Sequence, residues 1–298
     1  MLEIVKEKTE DIVSLLEHVG YFLINEQKKH EYQVYKKKDG SMLTELDIAS
    51  ETLIKNELES LFGNVRILSE ENSDGENAEI VKNKYFFLLD PIDGTNNFNK
   101  GGEFTINLAF CIDRKPVFSF IHNPIKKTIL FGDIEQSFKK NGGKIQKLNK
   151  VSGTDKYDII VNDKENKTKL IVGKHNFSDN EYIDLLVKEM QSCGYYFSKY
   201  NIKSASAMGK LLCFVDGECD GFLTANCCKN WDVLPSIPIL QSIGAFNNMN
   251  NVKIYENGNF YSGTFIVANN ENLLDDLIDI SVKLPNSFIK ECKWLRKM

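Results

Sequence analysis

Early in the chain, Ile12, Leu15, Leu16, Val19, Phe22 and Leu23 recur every three or four residues with charged residues between them, which predicts an amphipathic helix. Lys36-Lys37-Lys38 and Asp39-Gly40 break that period and mark a loop or turn. The period returns at Ile54, Leu58, Leu61 and Phe62, in a second helix expected to begin near Thr44. Thr44-x-x-Asp47 has the form of a capping box, with Asp in the place usually held by Glu. Short apolar runs at 65–68, 85–89, 104–112, 117–121 and 128–131 then read as strands. Turn residues at Asp113-Arg114-Lys115-Pro116 and Asn123-Pro124 make the later ones an antiparallel meander.

From about 144 to 169 the pattern fades into polar, lysine-rich sequence with one apolar cluster at Ile159-Ile160-Val161. This is the expected seam between an N-terminal α+β half, 1–150, and a C-terminal α/β half, 151–298. The second half alternates, with strands expected at 170–172, 221–224, 252–255 and 265–268. Helices are expected at 182–190, at 206–215, after Trp231-Asp232 and from Glu271. A run of strands followed by alternating elements predicts a layered α+β protein.

Composition narrows the functional classes. At 298 residues, 42% hydrophobic and 27% charged, the chain has the make-up of an ordinary globular protein. With 37 basic and 42 acidic residues the net charge is −5, which argues against a broad surface for a nucleic acid polymer. No apolar run approaches the roughly 18 residues of a membrane-spanning helix, so no membrane partner is expected. Charges at Glu3, Lys6, Glu7, Lys8, Glu10 and Asp11 interrupt the start, unlike the apolar core of a secretory signal. The seven cysteines form no C-x-x-C pair and only four histidines are present, which speaks against zinc. Buried thiols of this kind fit a reducing compartment, so a cytoplasmic location is expected.

The chemistry concentrates in Leu88-Leu89-Asp90-Pro91-Ile92-Asp93-Gly94-Thr95. An apolar strand runs into two carboxylates stiffened by Pro91, then into Gly-Thr at a helix or turn start. Crowded carboxylates repel one another unless a cation lies between them, and Gly94 and Thr95 offer backbone N–H groups to an anion. A metal beside a phosphate is one reading; a surface turn with two solvated acids is the other. An EF-hand would need acids or amides where Ile92 and Gly94 stand. An aspartyl-phosphate enzyme would need Asp where Pro91 stands, and no Walker loop is present. Water activated by a metal, without a covalent intermediate, is the mechanism that survives. Glu70-Glu71 closes the first strand-like run, and Asp232 opens a helix, where an Asp is also an ordinary cap.

Together, Glu-Glu, then Asp-Pro-Ile-Asp-Gly-Thr-x-x-Phe ending at Phe98, then a distant Trp-Asp resemble the lithium-sensitive, magnesium-dependent phosphatases. That family includes the inositol monophosphatases and the 3'(2'),5'-bisphosphate nucleotidases, and the resemblance runs from Lys37 to about Ala268. It implies an αβαβα sandwich with the site between the halves. It also implies two or three Mg²⁺ per site, held by Glu70, Asp90, Asp93, Asp232 and the Ile92 carbonyl. Asp47, Glu70 and Thr95 would orient and deprotonate the attacking water, and Asp93, Gly94, Thr95 and Ser206 would line the substrate. The partner is then a small phosphorylated substrate, and a homodimer is allowed.

Gly102-Glu103-Phe104-Thr105-Ile106-Asn107 is similar to the bisphosphate nucleotidases; the inositol monophosphatases usually carry Ser at the position of Asn107. The spacing from Ser204 to Asp232 is closer to the inositol monophosphatases, though Lys203 and Ser206 depart from their Arg and Gly. The expected reaction is hydrolysis of adenosine 3',5'-bisphosphate to AMP and phosphate, with inositol 1-phosphate as the alternative substrate. A non-catalytic, metal-stabilised interaction protein is the third reading, which the intact acidic set disfavours.

Overall fold

A computed structural model describes residues 1–37, 41–151, 170–172, 189, 206–255 and 258–283. The first helical pattern becomes a short helix α1 (Leu2–Glu7) and a long one, α2 (Thr9–Lys29), which buries Ile12, Leu16, Val19 and Leu23. A hairpin of β1 (Val34–Lys36) and β2 (Met42–Thr44) leads into α3 (Glu45–Phe62). Thr44 and Asp47 form the expected capping box at its start.

A seven-stranded sheet follows. Its strands lie in chain order: β3 (Ile67–Ser69), β4 (Tyr85–Asp93), β5 (Thr105–Ile112), β6 (Lys115–Asn123), β7 (Thr128–Asp133), β8 (Ser137–Asn141) and β9 (Lys144–Lys147). β3 and β4 run parallel, joined through α4 (Asp74–Ile80), and every later pair is antiparallel, as the turn residues imply. A short helix α5 (Thr95–Asn99) follows β4 directly. β9 lies where the seam was expected to begin. All four of its residues are exposed, so an edge strand rich in lysine carries no apolar alternation to reveal it.

The second half supplies β10 (Leu170–Val172), α6 (Ala207–Val215), β11 (Gly221–Lys229), α7 (Asn230–Val233) and α8 (Ile237–Ile243). β12 (Phe246–Asn247), β13 (Tyr261–Ala268) and α9 (Glu271–Lys283) follow. The order β10-β11-β13-β12 makes a four-stranded sheet. The strand expected at 252–255 is instead a turn, with Val252 N–H donating to Met249 O and Tyr255 in the left-handed region at φ 58°. Apart from residue 189, which is helical, the expected 182–190 helix lies outside the described residues, as do Lys203 to Ala205.

Two apolar layers bind the sheets to the helices. One face of the large sheet sets Phe87, Phe110, Phe120 and Phe131 against Leu16, Leu23, Ile54 and Leu58 of α2 and α3. The other sets Leu88, Ala109, Cys111, Ile121 and Leu130 against Met208, Leu212, Trp231, Val233 and Leu240. Phe222, Phe265 and Val267 of the small sheet close that same cluster. On the far side α9 covers β11: a Cβ on Gly221 would lie 3.2 Å from Leu273 and 3.4 Å from Leu277. The result is the expected α+β sandwich, layered αβαβα. Among the described residues, no helix is long and apolar enough to cross a membrane.

Candidate active site

The acidic motif ends β4, and a β-bulge decides where its carboxylates point. Asp90 pairs with Asn107 and Asp93 with Thr105, so β4 advances three residues while β5 advances two. In a regular strand, residues three apart face opposite sides of the sheet. The extra residue turns both carboxylates to the same face, and Pro91, which has no N–H for the ladder, sits inside the bulge. There Asp93 Oδ2 accepts from Thr105 Oγ1 and from the Met208 N–H, each at 3.0 Å. Asp90 Oδ1 accepts from the Ile92 N–H at 3.1 Å.

The other acids arrive from neighbouring elements. Glu70 follows β3, and its N–H donates to Leu89 O at 3.3 Å, which sets it beside Asp90. Asp232 lies in α7, with its Oδ2 accepting from the Lys229 N–H at 2.8 Å. Glu70, Asp90 and Asp232 each present a carboxylate oxygen within 4.8 Å of the other two. Burial, and then Glu70 and Asp93, push Asp90 well above the ordinary carboxylate range, and the same causes act on Asp232. Burial also raises Asp93, although its three hydrogen-bond donors, Met208, Thr105 and Ser206, oppose the rise.

Asp47 and Thr95 form the second part of the site. Asp47 Oδ2 accepts from Thr44 N–H at 2.7 Å and Thr44 Oγ1 at 2.6 Å, which leaves Oδ1 to accept from Thr95 Oγ1 at 3.2 Å. Burial raises the Asp47 carboxyl to about 6. The Thr95 hydroxyl also lies 3.1 Å from Ile92 O. Thr95 opens α5 behind Gly94, whose φ of 92° is left-handed; a Cβ there would lie 3.0 Å from Ser206 Cβ. Ser206 caps α6 by accepting from the Gly209 N–H at 3.0 Å, and it also hydrogen-bonds to Asp93. Its hydroxyl is thus engaged, and it reaches the site through Asp93.

Three cations face this set. Lys37 Nζ lies 3.0 Å from Glu70 and 2.9 Å from Glu71. Burial works against its charge, but the two glutamates outweigh burial and hold the ammonium above its usual pKa. Burial and Glu70 bring Glu71 up to about 7. Lys229 Nζ lies 4.0 Å from Glu70 and 5.3 Å from the centre of the Trp231 ring. Lys210 on α6 is completely buried, with no hydrogen-bond partner for its amine, and burial lowers it to about 8.

The structure brings Glu70, Asp90 and Asp232 into one cluster, which Asp93 does not join. Asp93 is hydrogen-bonded to Ser206, Ser206 lies against Gly94, and Thr95 links Asp47 to Ile92. Lys210, Lys229 and the role of Lys37 were missed. A lysine inside the apolar run Met208 to Val215 was the visible signal for Lys210. The oxygen-rich donor set, short of positive charge, fits a hard divalent cation such as Mg²⁺.

Comparison with known proteins agrees. The family described as the inositol monophosphatase family matches residues 7–284. The 3'(2'),5'-bisphosphate nucleotidase CysQ of Haemophilus influenzae is 34% identical over 131 residues, 41% of this chain and 49% of that protein. The chain spans about half the length of the first curated relatives it matches. Among solved structures, the Thermotoga maritima IMPase has a TM-score of 0.69 at 19% identity, over 93% of this chain and 97% of that one. An IMPase/NADP phosphatase complexed with Mg²⁺ and phosphate has a TM-score of 0.67 at 17% identity, over 93% and 95%. With its fold shared along nearly the whole chain and its sequence matched from residue 7 to 284, the protein belongs to the inositol monophosphatase family.

Proposed function

We propose that this chain is a Mg²⁺-dependent phosphomonoester hydrolase whose substrate is adenosine 3',5'-bisphosphate, which it converts to AMP and phosphate. The observation that carries the reading is the convergence of Glu70, Asp90 and Asp232 within 4.8 Å, next to the hydrogen-bonded pair Thr95 and Asp47. Glu70, Asp90, Asp93, Asp232 and the Ile92 carbonyl would hold two or three Mg²⁺. When bound, the metal supplies Lewis acidity toward the phosphoryl oxygens and neutralises developing charge.

The chain's own residues supply the rest. The Thr95 hydroxyl reaches both Asp47 Oδ1 and Ile92 O; donating to Asp47, it leaves its oxygen able to accept from an attacking water. As the water gives a proton to Thr95 Oγ1, Thr95 passes its own hydroxyl proton to Asp47, which Thr44 holds in one orientation. No side chain forms a bond to phosphorus. Gly94 and Thr95 would meet the phosphate through backbone N–H groups. Lys210, a buried ammonium with no hydrogen-bond partner among the described residues, is suited to a substrate anion.

The nucleotide substrate is supported by the nucleotidase relatives and by Asn107. The buried thiols of Cys111 and Cys228 favour a reducing, cytoplasmic setting. Hydrolysis of adenosine 3',5'-bisphosphate, inositol 1-phosphate and fructose 1,6-bisphosphate should be compared side by side in Mg²⁺. The expected order puts the nucleotide first in kcat/KM. A tenfold preference for inositol 1-phosphate would replace it with the inositol substrate, and no turnover of any would remove the phosphatase reading.

A further inference from the structure

Away from the carboxylates, a cavity of about 660 Å³ opens where the large sheet meets the turn at 252–255. Among the described residues, Lys82, Lys84, Arg114 and Lys253 line it together with Asp113, and Glu79 pairs with Lys82. This is a local excess of positive charge on a chain whose net charge is −5. The four cations come from three separate segments: the loop before β4, the β5–β6 turn and the 252–255 turn. A sequence-local lysine run would be a solvated face; here the tertiary fold has gathered the charges around one concavity. Clefts lined by one sign of charge concentrate ions of the other.

The wall is held in place. Arg114 O accepts from the Ile254 N–H at 2.9 Å, and the Arg114 guanidinium lies 3.5 Å from Tyr255 O. Tyr255 N–H donates to Asn230 Oδ1 at 2.9 Å, and the Tyr255 ring packs on Phe260 at 4.6 Å between centroids. Lys84 Nζ rests 5.3 Å from the centre of the Tyr85 ring, and Lys82 pairs with Glu79 at the outer side. Asp113 (φ 48°), Arg114 (φ 68°) and Tyr255 (φ 58°) all adopt the left-handed region. The first two serve the tight β5–β6 turn. For a bulky residue such as Tyr255, outside any hairpin, that conformation is strained, and such strain collects at binding sites.

We propose that this cavity binds a small, multiply charged phosphorylated anion. Its volume is that of a small-molecule site, and Arg114 offers a planar fork suited to paired oxyanion oxygens. Lys82, Lys84 and Lys253 supply the point charges that a chain of phosphoryl groups requires. The site shares no residue with the carboxylate centre, so it stands whatever that centre hydrolyses.

The test is calorimetric titration of the full chain with inorganic tripolyphosphate in metal-free buffer, where the bare carboxylates repel the probe. A single saturable site is expected, weakening steeply as salt is raised. Lys84→Gln combined with Lys253→Gln should weaken it at least about tenfold, as removal of two facing charges does, with an unchanged thermal melt. Arg114→Gln is the second variant, with the same expectation. The proposal is overturned if wild type shows no saturable binding or if both variants bind like wild type. It is also overturned if binding is lost in Lys210→Met instead, which would put the anion at the carboxylate centre.

Discussion

The Thr95 hydroxyl donates to Asp47 Oδ1 at 3.2 Å across 48 residues of sequence, joining the start of α5 to the first turn of α3. In the proposed mechanism these two helix starts form one proton path. Thr95→Val keeps the shape and removes the hydroxyl, so turnover should fall by roughly 10²–10⁴ with the fold preserved. Hydrolysis rates beside circular dichroism check this, and a rate within threefold of wild type would remove Thr95 from the path.

Removing one metal-facing carboxylate should abolish activity without unfolding the chain. In Asp93→Asn the amide oxygen can still accept from Thr105 and Met208, while the charge that crowds Asp90 and Asp232 is gone. The metal-free melt should hold or rise, whereas turnover in saturating Mg²⁺ should be lost. Near-normal turnover would show that Asp93 is no ligand.

The site's acids make metal-free stability depend on pH with a definite sign. Asp47 stands at about 6 and Glu71 at about 7, against ordinary values of 3.8 and 4.5. Between pH 4 and 7 these two carboxyls therefore bind more protons in the folded than in the unfolded chain and lower stability as pH rises. His122, held down to about 4 by burial, opposes them below about 6.5, so the net fall belongs to the window above that. Asp47 alone accounts for a change of about 3 kcal/mol. Melts of a His122→Ala chain in chelator from pH 5 to pH 8 should show a falling midpoint, and Mg²⁺ should restore most at the alkaline end. A midpoint that climbs with pH would contradict the crowding of these carboxyls.

Lys210 separates stability from binding. Burial costs the Lys210 ammonium more than Cys228 and Asp93 return, so Lys210→Met, of similar length, should leave the melt unchanged or raise it. The same change should raise KM for adenosine 3',5'-bisphosphate more than it lowers kcat. A destabilised variant with unchanged KM would make Lys210 structural.

Gly20 of α2 sits tightly against the large sheet. A Cβ there would lie 2.4 Å from His122 Nε2 and 2.9 Å from Pro124 Cγ. Gly20→Ala should destabilise by about 1–3 kcal/mol in denaturant, and His122→Ala in the same chain should recover part of it. Additive losses in the pair would place the strain elsewhere.

Features within a few residues of one another were legible from the sequence alone. The Thr44–Asp47 box, the meander with its turns, and the Asp90-to-Thr95 motif all rest on local rules of period, capping and turn chemistry. Those rules act between neighbours and need no partner. β9 escaped because an exposed edge carries no apolar alternation, and 252–255 misled because an apolar cluster also suits a buried turn. Only the tertiary structure decided which carboxylates share a space. A one-residue bulge opposite Asn107 turned Asp90 and Asp93 to one face, and the closing of the second half brought Asp232 to within 4.8 Å of Glu70 and Asp90. It likewise set Lys37 on Glu70 and sealed Lys210 beneath the site. Such contacts depend on the register of strands and the packing of layers far apart in the chain, which no local pattern encodes.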